Sequence, residues 1–241
     1  MKIRLYRAVA AASISAALVA GGALLAPTAS AAPTGEALAA RQALSSIAPA
    51  PQDAASVIDG IQAANDLLNT LKITPFTPTV GACTDFTFPV ALGGAVPGPN
   101  TPVLGNLTIL GVDANAVKKG EILYGFVPVG LFNDSKDKSG MRVAWFNVNT
   151  FQGGFGAPMD GLAETLLNAV VKRLNAARIP GAGALASAAL TPVLNVLPSN
   201  GVRGGLVDTG SGTVLSAIYG TVKKGDAMCY FFPSLGIATA K

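Results

Sequence analysis

The spacing of apolar residues changes from helical to alternating near Cys83. Before that point, apolar residues between 57 and 71 recur at the spacing of one helix face, and Ser56 precedes them as a candidate N-cap. The prolines within residues 74–79 (TPFTPT) predict that this helix ends there, because each proline disfavours a helical residue before it. The pattern therefore predicts one N-terminal helix followed by a β-rich region.

Seven short segments after Cys83 are typical of strands. In residues 85–92, Phe86, Phe88, Val90 and Leu92 alternate with other residues that include Pro89, and the proline favours a position at a sheet edge. The other six segments are 105–112, 121–132, 141–149, 204–208, 212–222 and 227–232. Short strands separated by turn residues predict a mainly β fold, an antiparallel sandwich or a partly open barrel of about seven strands.

Two helical segments interrupt this alternation between residues 158 and 198. The first segment has an apolar face made of Leu162, Leu166, Leu167, Val170, Val171 and Leu174. The second contains Pro192, which predicts a short or kinked helix. We predict an inserted helical hairpin whose apolar face packs on the sheet. It could instead line a pocket for acyl chains or envelope glycolipids, or bind a membrane surface directly.

The first 31 residues have the features of an export signal. A basic start precedes an almost wholly apolar run at 8–26, and the small residues at 29–31 match a cleavage pattern. We predict a signal peptide at 1–31, cleaved near Ala31–Ala32, and a flexible Ala- and Pro-rich lead-in at 32–56. A single β-rich domain at 57–241, with the insertion at 158–198, follows. Retention of the apolar run as an anchor is the alternative; the mature chain has no predicted integral span.

The charge of the chain is low and nearly balanced. Charged residues make up 12% of the sequence and hydrophobic residues 50%, with 17 basic residues against 13 acidic ones. Three of the basic residues lie in the predicted signal, so the mature chain is close to neutral. Without a dense basic run we expect no nucleic-acid partner.

Cys83 and Cys229 are the two cysteines of the chain. In the oxidising compartment that an export signal implies, an even and minimal count predicts one disulfide. The bridge would close a long loop, which the chain-entropy model values at about 5 kcal/mol as an upper bound. Free or intermolecularly paired thiols are the alternative.

The chain contains no histidine. This excludes Ser-His-Asp and Cys-His hydrolysis, because no imidazole is present to accept the proton. The usual zinc sites also lack their ligands. We therefore predict no metal site and no cofactor.

Residues 206–212, LVDTGSG, are similar to the catalytic turn of an aspartic protease. That chemistry needs two carboxylates that share a proton, and the chain has one Asp-Thr-Gly, so a hydrolase using Asp208 would have to be a dimer. Too few residues follow Asp208 for the later elements of that fold. We favour a turn in which Asp208 caps backbone N–H groups, and we assign no catalytic residue.

Trp145 is the chain's single tryptophan, and it lies beside Phe146 in a predicted strand. Its large apolar surface suits an anchor in the core. A tryptophan on an exposed face could instead stack on a sugar ring. Both interpretations are open at this point.

Three segments carry a resemblance: MRVAWFNVNTFQGG at 141–154, VDTGSGTVLSAIYGTV at 207–222 and CYFFPSLG at 229–236. They resemble stretches of uncharacterised exported proteins from mycolic-acid-containing actinobacteria, over about 140 of the 241 residues. The resemblance implies an envelope or extracellular location and brings no activity with it.

We therefore expect an exported cell-envelope or extracellular protein with a non-enzymatic binding or structural role. An envelope lipid or glycolipid is the candidate partner. The alternatives are a carrier of lipidic ligands through the helices at 158–198 and a dimeric aspartic hydrolase using Asp208.

Overall fold

The computed structural model describes residues 54–130, 137–197 and 201–241. The predicted signal peptide at 1–31 and all but the last three residues of the predicted lead-in at 32–56 lie outside the described residues. The described part is mainly β, and it contains helices α1 (Ala54–Thr70), α2 (Leu162–Ala176) and α3 (Ala182–Val196).

The strands follow one another along the chain with the helices α2 and α3 inserted between the eighth and the ninth. They are β1 (Thr74–Cys83), β2 (Val90–Pro97), β3 (Thr108–Ile109), β4 (Val112–Asp113), β5 (Glu121–Pro128), β6 (Met141–Asn147), β7 (Gln152–Phe155), β8 (Asp160–Gly161), β9 (Arg203–Asp208), β10 (Gly212–Lys224) and β11 (Ala227–Ala240).

Nine of these strands form one antiparallel sheet in the order β7-β6-β10-β11-β1-β2-β5-β9-β8, and β3 and β4 form a separate small hairpin. Strands β10 and β11 form a long hairpin, and β1 pairs with both β11 and β2. The sheet therefore has two halves that meet at β1.

The two edges of the curled sheet are occupied by one stretch of chain, residues 152–161. Its first part is β7, which pairs with β6. The backbone N–H groups of Gly156 and Met159 then donate to carbonyls of β6, at 2.8 and 2.9 Å, and β8 pairs with β9. This arrangement confirms the predicted antiparallel sheet in its partly open barrel form.

Apolar side chains fill the inside of the curled sheet. The rings of Phe126 and Phe231 meet edge to face with centroids 5.2 Å apart. The hydroxyl of Tyr124 lies 2.8 Å from that of Ser216 across the interior, so this buried polar group has a partner. Strand β10 contributes Val214, Ile218 and Val222 to this cluster, at the alternating spacing expected of a half-buried strand.

The three helices cover the outer face of one half of the sheet. Helix α1 packs on β1, β2 and β5, and α2 packs on β9 and on α3. Because both of their faces are covered, β2 and β5 are buried at nearly every residue. The apolar residues of α2 and α3 complete this second core, as the first interpretation of the helical hairpin predicts.

The structure contradicts the predicted edge strand at 85–92. Phe86 and Phe88 lie in the turn after β1, and β2 begins only at Val90, in the middle of the sheet between β1 and β5. Asp85 accepts hydrogen bonds from the backbone N–H and the hydroxyl of Thr87, and such local bonding competes with a strand. Phe86 has a φ of 61°, which a strand does not allow.

Other predicted boundaries also differ from the structure. Residues 74–79, whose prolines were predicted only to end the helix, begin β1, and the pairing of β1 with β2 shifts register between Pro75 and Pro78. The segment 105–112 contains only β3 and the first residue of β4. Strand β11 continues well beyond residue 232, and α3 continues through Pro192.

The predicted disulfide between Cys83 and Cys229 is confirmed. The two residues are register partners at the end of β1 and the start of β11, with a sequence separation of 146. The bridge therefore closes a loop that contains most of the sheet.

Candidate functional site

Asp208 lies at the end of β9, in the turn that leads into β10. Its Oδ1 accepts a hydrogen bond of 3.3 Å from the N–H of Gly210, and Gly210 and Gly212 have φ values of 67° and 134°. Glycine adopts these dihedrals at little cost, whereas other residues do not. The turn interpretation of the Asp-Thr-Gly segment is thus the one that matches the geometry.

A buried asparagine on β6 holds this turn. The Nδ2 of Asn147 donates to the carbonyls of Thr209 and Ser211 at 2.9 and 3.1 Å. Its Oδ1 accepts from the backbone N–H groups of Asn149 and Thr150 at 3.0 and 3.2 Å. One side chain therefore fixes the β9–β10 turn against the β6–β7 turn.

The carboxylate across from Asp208 in the sheet is Glu121, its register partner on β5. Glu121 accepts from both the guanidinium of Arg173 and the N–H of Lys118. A proton-sharing carboxylate pair needs both acids free to contact each other. Glu121 is committed to Arg173 instead, so it is not placed to share a proton with Asp208.

In residues 54–130, 137–197 and 201–241, no group of three or more Cys, Asp or Glu side chains is placed to hold a metal ion.

A cleft of about 700 Å³ that is largely open to solvent lies beside Asp208, between the β6–β7 turn and the β9–β10 turn. It is lined by Trp145, Phe151, Gln152, Gly153, Asp208, Thr209 and Gly210. Trp145 packs against the inner core, as the first interpretation of this residue predicts, and part of its surface stays exposed at the cleft. The cleft brings aromatic and polar side chains together.

The aromatic wall of the cleft continues outside it. The ring of Phe151 is 79% exposed and meets the ring of Phe146 edge to face, with centroids 6.4 Å apart. Phe146 belongs to the outer face of the uncovered half of the sheet. The cleft therefore opens at the border of that face.

This outer face is apolar and uncovered by other described residues. We define the apolar outer face as Val80, Phe146, Phe155, Leu215, Tyr230, Phe232, Leu235 and Ile237, all of which are exposed. Ile237, Leu215 and Phe146 form one row, because Leu215 is the register partner of both others. A second row runs from Leu235 through two alanines to Phe155. Soluble monomers rarely expose contiguous apolar surface of this kind.

The charges within the strands of this face are all positive. Strands β6, β7, β10 and β11 contain Arg142, Lys223 and Lys224 and no acidic residue. The Nζ of Lys224 lies 3.3 Å from Oδ2 of Asp85 in the neighbouring turn. The pKa of Asp85 is lowered, mainly by the hydrogen bond that its carboxylate accepts from the Thr87 hydroxyl. Arg142 extends from the same face of β6 as Phe146.

The apolar faces of α2 and α3 do not form an open pocket wall. Leu166, Val170 and Leu174 of α2 and Leu190 and Val193 of α3 are fully buried in the core that they share with the sheet. These side chains therefore serve packing within the core.

The exposure of most aromatic side chains was not predicted from the sequence. Six of the nine phenylalanines that the structure describes are exposed: Phe86, Phe88, Phe146, Phe151, Phe155 and Phe232. Alternation marks Phe146 and Phe232 as members of a strand face, but it does not say which face is covered. The low charge of the chain does indicate exposed apolar surface, because few charged side chains are available to cover the sheet.

None of the helices within the described ranges is long and apolar enough to cross a membrane.

The chain was compared with known proteins. No protein-family model, curated protein or solved structure matches it.

Proposed function

We propose that this chain is an exported, non-enzymatic protein of the cell envelope that binds an anionic lipid surface through its apolar outer face. The observation that carries the proposal is the pair of cross-strand apolar rows in strands whose charges are exclusively positive. Function here is surface association, with no chemical step assigned to any residue.

The apolar rows supply the binding free energy. Phe155, Ile237 and Leu235 are 70%, 60% and 54% exposed, so contact with lipid would remove much apolar surface from water. Burial contributes roughly 25 cal/mol per Å² of apolar area. Aromatic side chains at the border, including Tyr230, suit the interfacial region of a lipid layer.

The positive charges favour anionic lipid over a second copy of the chain. In a two-fold symmetric dimer the same patch meets itself, so Arg142, which lies on the same face as Phe146, would face a surface without acidic strand residues. An anionic lipid surface instead attracts each basic residue by about 1 kcal/mol. The positive charges therefore favour an anionic lipid surface over a second copy of the chain as the partner of the apolar outer face.

Export is supported by two observations of different kinds. The sequence begins with a basic and then apolar segment typical of a signal peptide. The Cys83–Cys229 disulfide suits an oxidising compartment. Both are consistent with a protein that meets lipid outside the cytoplasm.

Vesicle co-sedimentation tests the proposal. We expect the protein that lacks residues 1–31 to sediment with phosphatidylcholine vesicles that contain phosphatidylglycerol, and less with phosphatidylcholine alone. The double variant Leu215→Thr/Ile237→Thr places β-branched residues of high strand propensity at both positions, and we expect it to lose at least about tenfold in affinity. Arg142→Gln should reduce the preference for the anionic vesicles.

The matched control is Ile58→Gln in α1, which changes an equally exposed apolar residue on the helical side of the molecule. It should bind vesicles like the unmodified chain. Absence of sedimentation with both vesicle types would contradict the proposal. So would a dimer in analytical ultracentrifugation that Leu215→Thr/Ile237→Thr converts to monomer without any vesicle binding.

A further inference from the structure

We propose that the cleft beside Asp208 binds a pyranose ring of a saccharide. This inference is independent of lipid binding, because it depends on a different set of side chains. The cleft is defined by the β6–β7 turn on one side and the β9–β10 turn on the other. Its ligand class follows from the chemistry of the two walls.

One wall is aromatic. Trp145 and Phe151 both line the cleft, and the indole of Trp145 packs beside the backbone of Gly154, its register partner. The apolar C–H face of a pyranose ring stacks on aromatic rings of this kind. The indole N–H of Trp145 donates to none of the described residues, so it is available to a ligand hydroxyl.

The other wall is polar. Asp208 lines it together with the backbone of Thr209 and Gly210, and Gln152, next to Phe151 in the chain, adds an amide on the aromatic side. The carboxylate of Asp208 accepts one long hydrogen bond within its turn, and its Oδ2 accepts none from the described residues. A carboxylate and an amide together can accept from and donate to adjacent hydroxyls of a sugar ring.

The position of both walls is fixed before a ligand arrives. Asn147 bonds to both turns, and the hydroxyl and N–H of Thr209 bond to the carbonyl of Gly120 at 3.2 and 2.9 Å. Phe151 has a φ of 56°, a conformation that a non-glycine residue adopts at a cost in energy. The backbone of the turn is thus defined at Phe151, and the ring is in edge-to-face contact with that of Phe146.

A cationic ligand is the competing chemistry, because aromatic rings and a carboxylate also attract quaternary ammonium groups. Such ligands are enclosed by aromatic side chains on several sides. Here both aromatic rings belong to the β6–β7 side, and the facing surface presents a carboxylate and backbone groups. The geometry therefore favours a neutral ring with hydroxyl groups over an enclosed cation.

The sugar could be free or attached to a lipid. Phe151 packs on Phe146, a member of the apolar outer face, so a saccharide in the cleft lies next to the surface proposed to contact lipid. The shared chemistry is the pyranose ring, and the two sources are separated by experiment.

Intrinsic fluorescence provides a direct measurement, because Trp145 is the only tryptophan. Methyl β-D-glucopyranoside, methyl α-D-mannopyranoside and cellotriose are titrated into the protein, and vesicles with and without a monoglucosyl diacylglycerol form a second arm. We expect a saturable change in Trp145 emission with a Kd in the millimolar range for at least one free sugar or for the glycolipid vesicles.

Phe151→Ala and Asp208→Asn should each weaken this binding about tenfold or more, with unchanged thermal unfolding. Phe86→Ala, which removes an equally exposed ring far along the sequence from the cleft, should leave it unchanged. Response to free sugars assigns the site to saccharides in general, and response to glycolipid vesicles alone assigns it to a lipid headgroup.

Absence of any saccharide response in both arms would overturn the inference. Saturable binding of tetramethylammonium in place of the sugars would also overturn it, in favour of a cation site. Neither result depends on whether vesicles without glycolipid bind the protein, so failure here is separate from failure of the lipid-surface proposal.

Discussion

Arg173 of α2 and Glu121 of β5 form a buried ion pair that connects the helical layer to the sheet. The Nη2 of Arg173 donates to Oε1 of Glu121 at 2.8 Å, and the same carboxylate accepts from the N–H of Lys118 at 2.8 Å. The adjoining Gly120 carbonyl accepts from Thr209. The pair therefore stabilises the turn that lies against the candidate cleft.

Removal of Arg173 should destabilise the protein substantially. Arg173→Met keeps the apolar part of the side chain but leaves the Glu121 carboxylate without its cation, which costs about 3 kcal/mol or more. Urea unfolding should show the loss as a lower midpoint at an unchanged slope. Lys172→Met, one residue earlier on the same helix, should cost much less, and similar losses for the two variants would refute the importance of this pair.

The disulfide should account for a large part of the stability. Cys83→Ser/Cys229→Ser frees the 146-residue loop in the unfolded state, and we expect the free energy of unfolding to fall by about 2–5 kcal/mol. Urea unfolding of the oxidised protein and of the double variant measures the difference. Addition of a reductant should shift the midpoint of the oxidised protein alone; a shift in the double variant as well would point to a different cause.

The pH dependence of stability should have an alkaline component from Tyr124. Burial raises the pKa of Tyr124 to about 12, although its hydrogen bond with Ser216 acts in the opposite direction. In the unfolded chain the tyrosine ionises near pH 10, so between about pH 10 and 12 the unfolded state binds fewer protons than the folded state. The free energy of unfolding is unaffected below this window and falls across it, by up to about 3 kcal/mol.

Tyr124→Phe tests this effect. At neutral pH the variant should be about 1 kcal/mol less stable, because Ser216 loses its partner. Above about pH 10 the difference between the two proteins should shrink and then reverse, since the variant has no buried phenol to ionise. Parallel curves up to about pH 12 would contradict the assignment.

Asn147 should control the shape of the candidate cleft. Asn147→Ala leaves buried carbonyls of the β9–β10 turn without a donor, and we expect a loss of about 2–3 kcal/mol together with weaker saccharide binding. Asn149→Ala removes an exposed side chain that accepts from Thr213, and it should cost less than about 1 kcal/mol. Thermal unfolding and Trp145 fluorescence of both variants measure the two effects; equal behaviour would argue against a special role for Asn147.

Several features of the fold could be predicted because single residues or simple periods determine them. The disulfide follows from the presence of only two cysteines, and the α2–α3 hairpin follows from the spacing of apolar residues. The turn at Asp208 follows from its Asp and Gly residues. Strand β1 could not be predicted, since Pro75 and Pro78 normally argue against a strand and are accommodated here by a shift in register. The strand predicted at 85–92 failed because the Asp85 side chain bonds to Thr87 and forms a turn instead.

The candidate cleft was only partly predictable. Trp145 and Asp208 were each candidate functional residues from the sequence, but they are 63 positions apart. They line one cleft because the β6–β7 turn and the β9–β10 turn lie side by side in the fold. Phe151 and Gln152 lie in a turn and a short strand that periodicity does not identify. Non-local placement of this kind depends on strand order, which alternation does not encode.

The single stretch 152–161 that lies at both edges of the sheet has a consequence for solubility. Its two strands contain four and two residues, so neither margin offers a long ladder of vacant amide groups to an incoming chain. A protein with this much exposed apolar surface would be prone to form fibrils if it also had a long unpaired strand edge, because further strands could add to that edge. In this molecule the exposed apolar surface lies on a face of the sheet, so a contact between two copies there would be made by side chains and not by backbone hydrogen bonds.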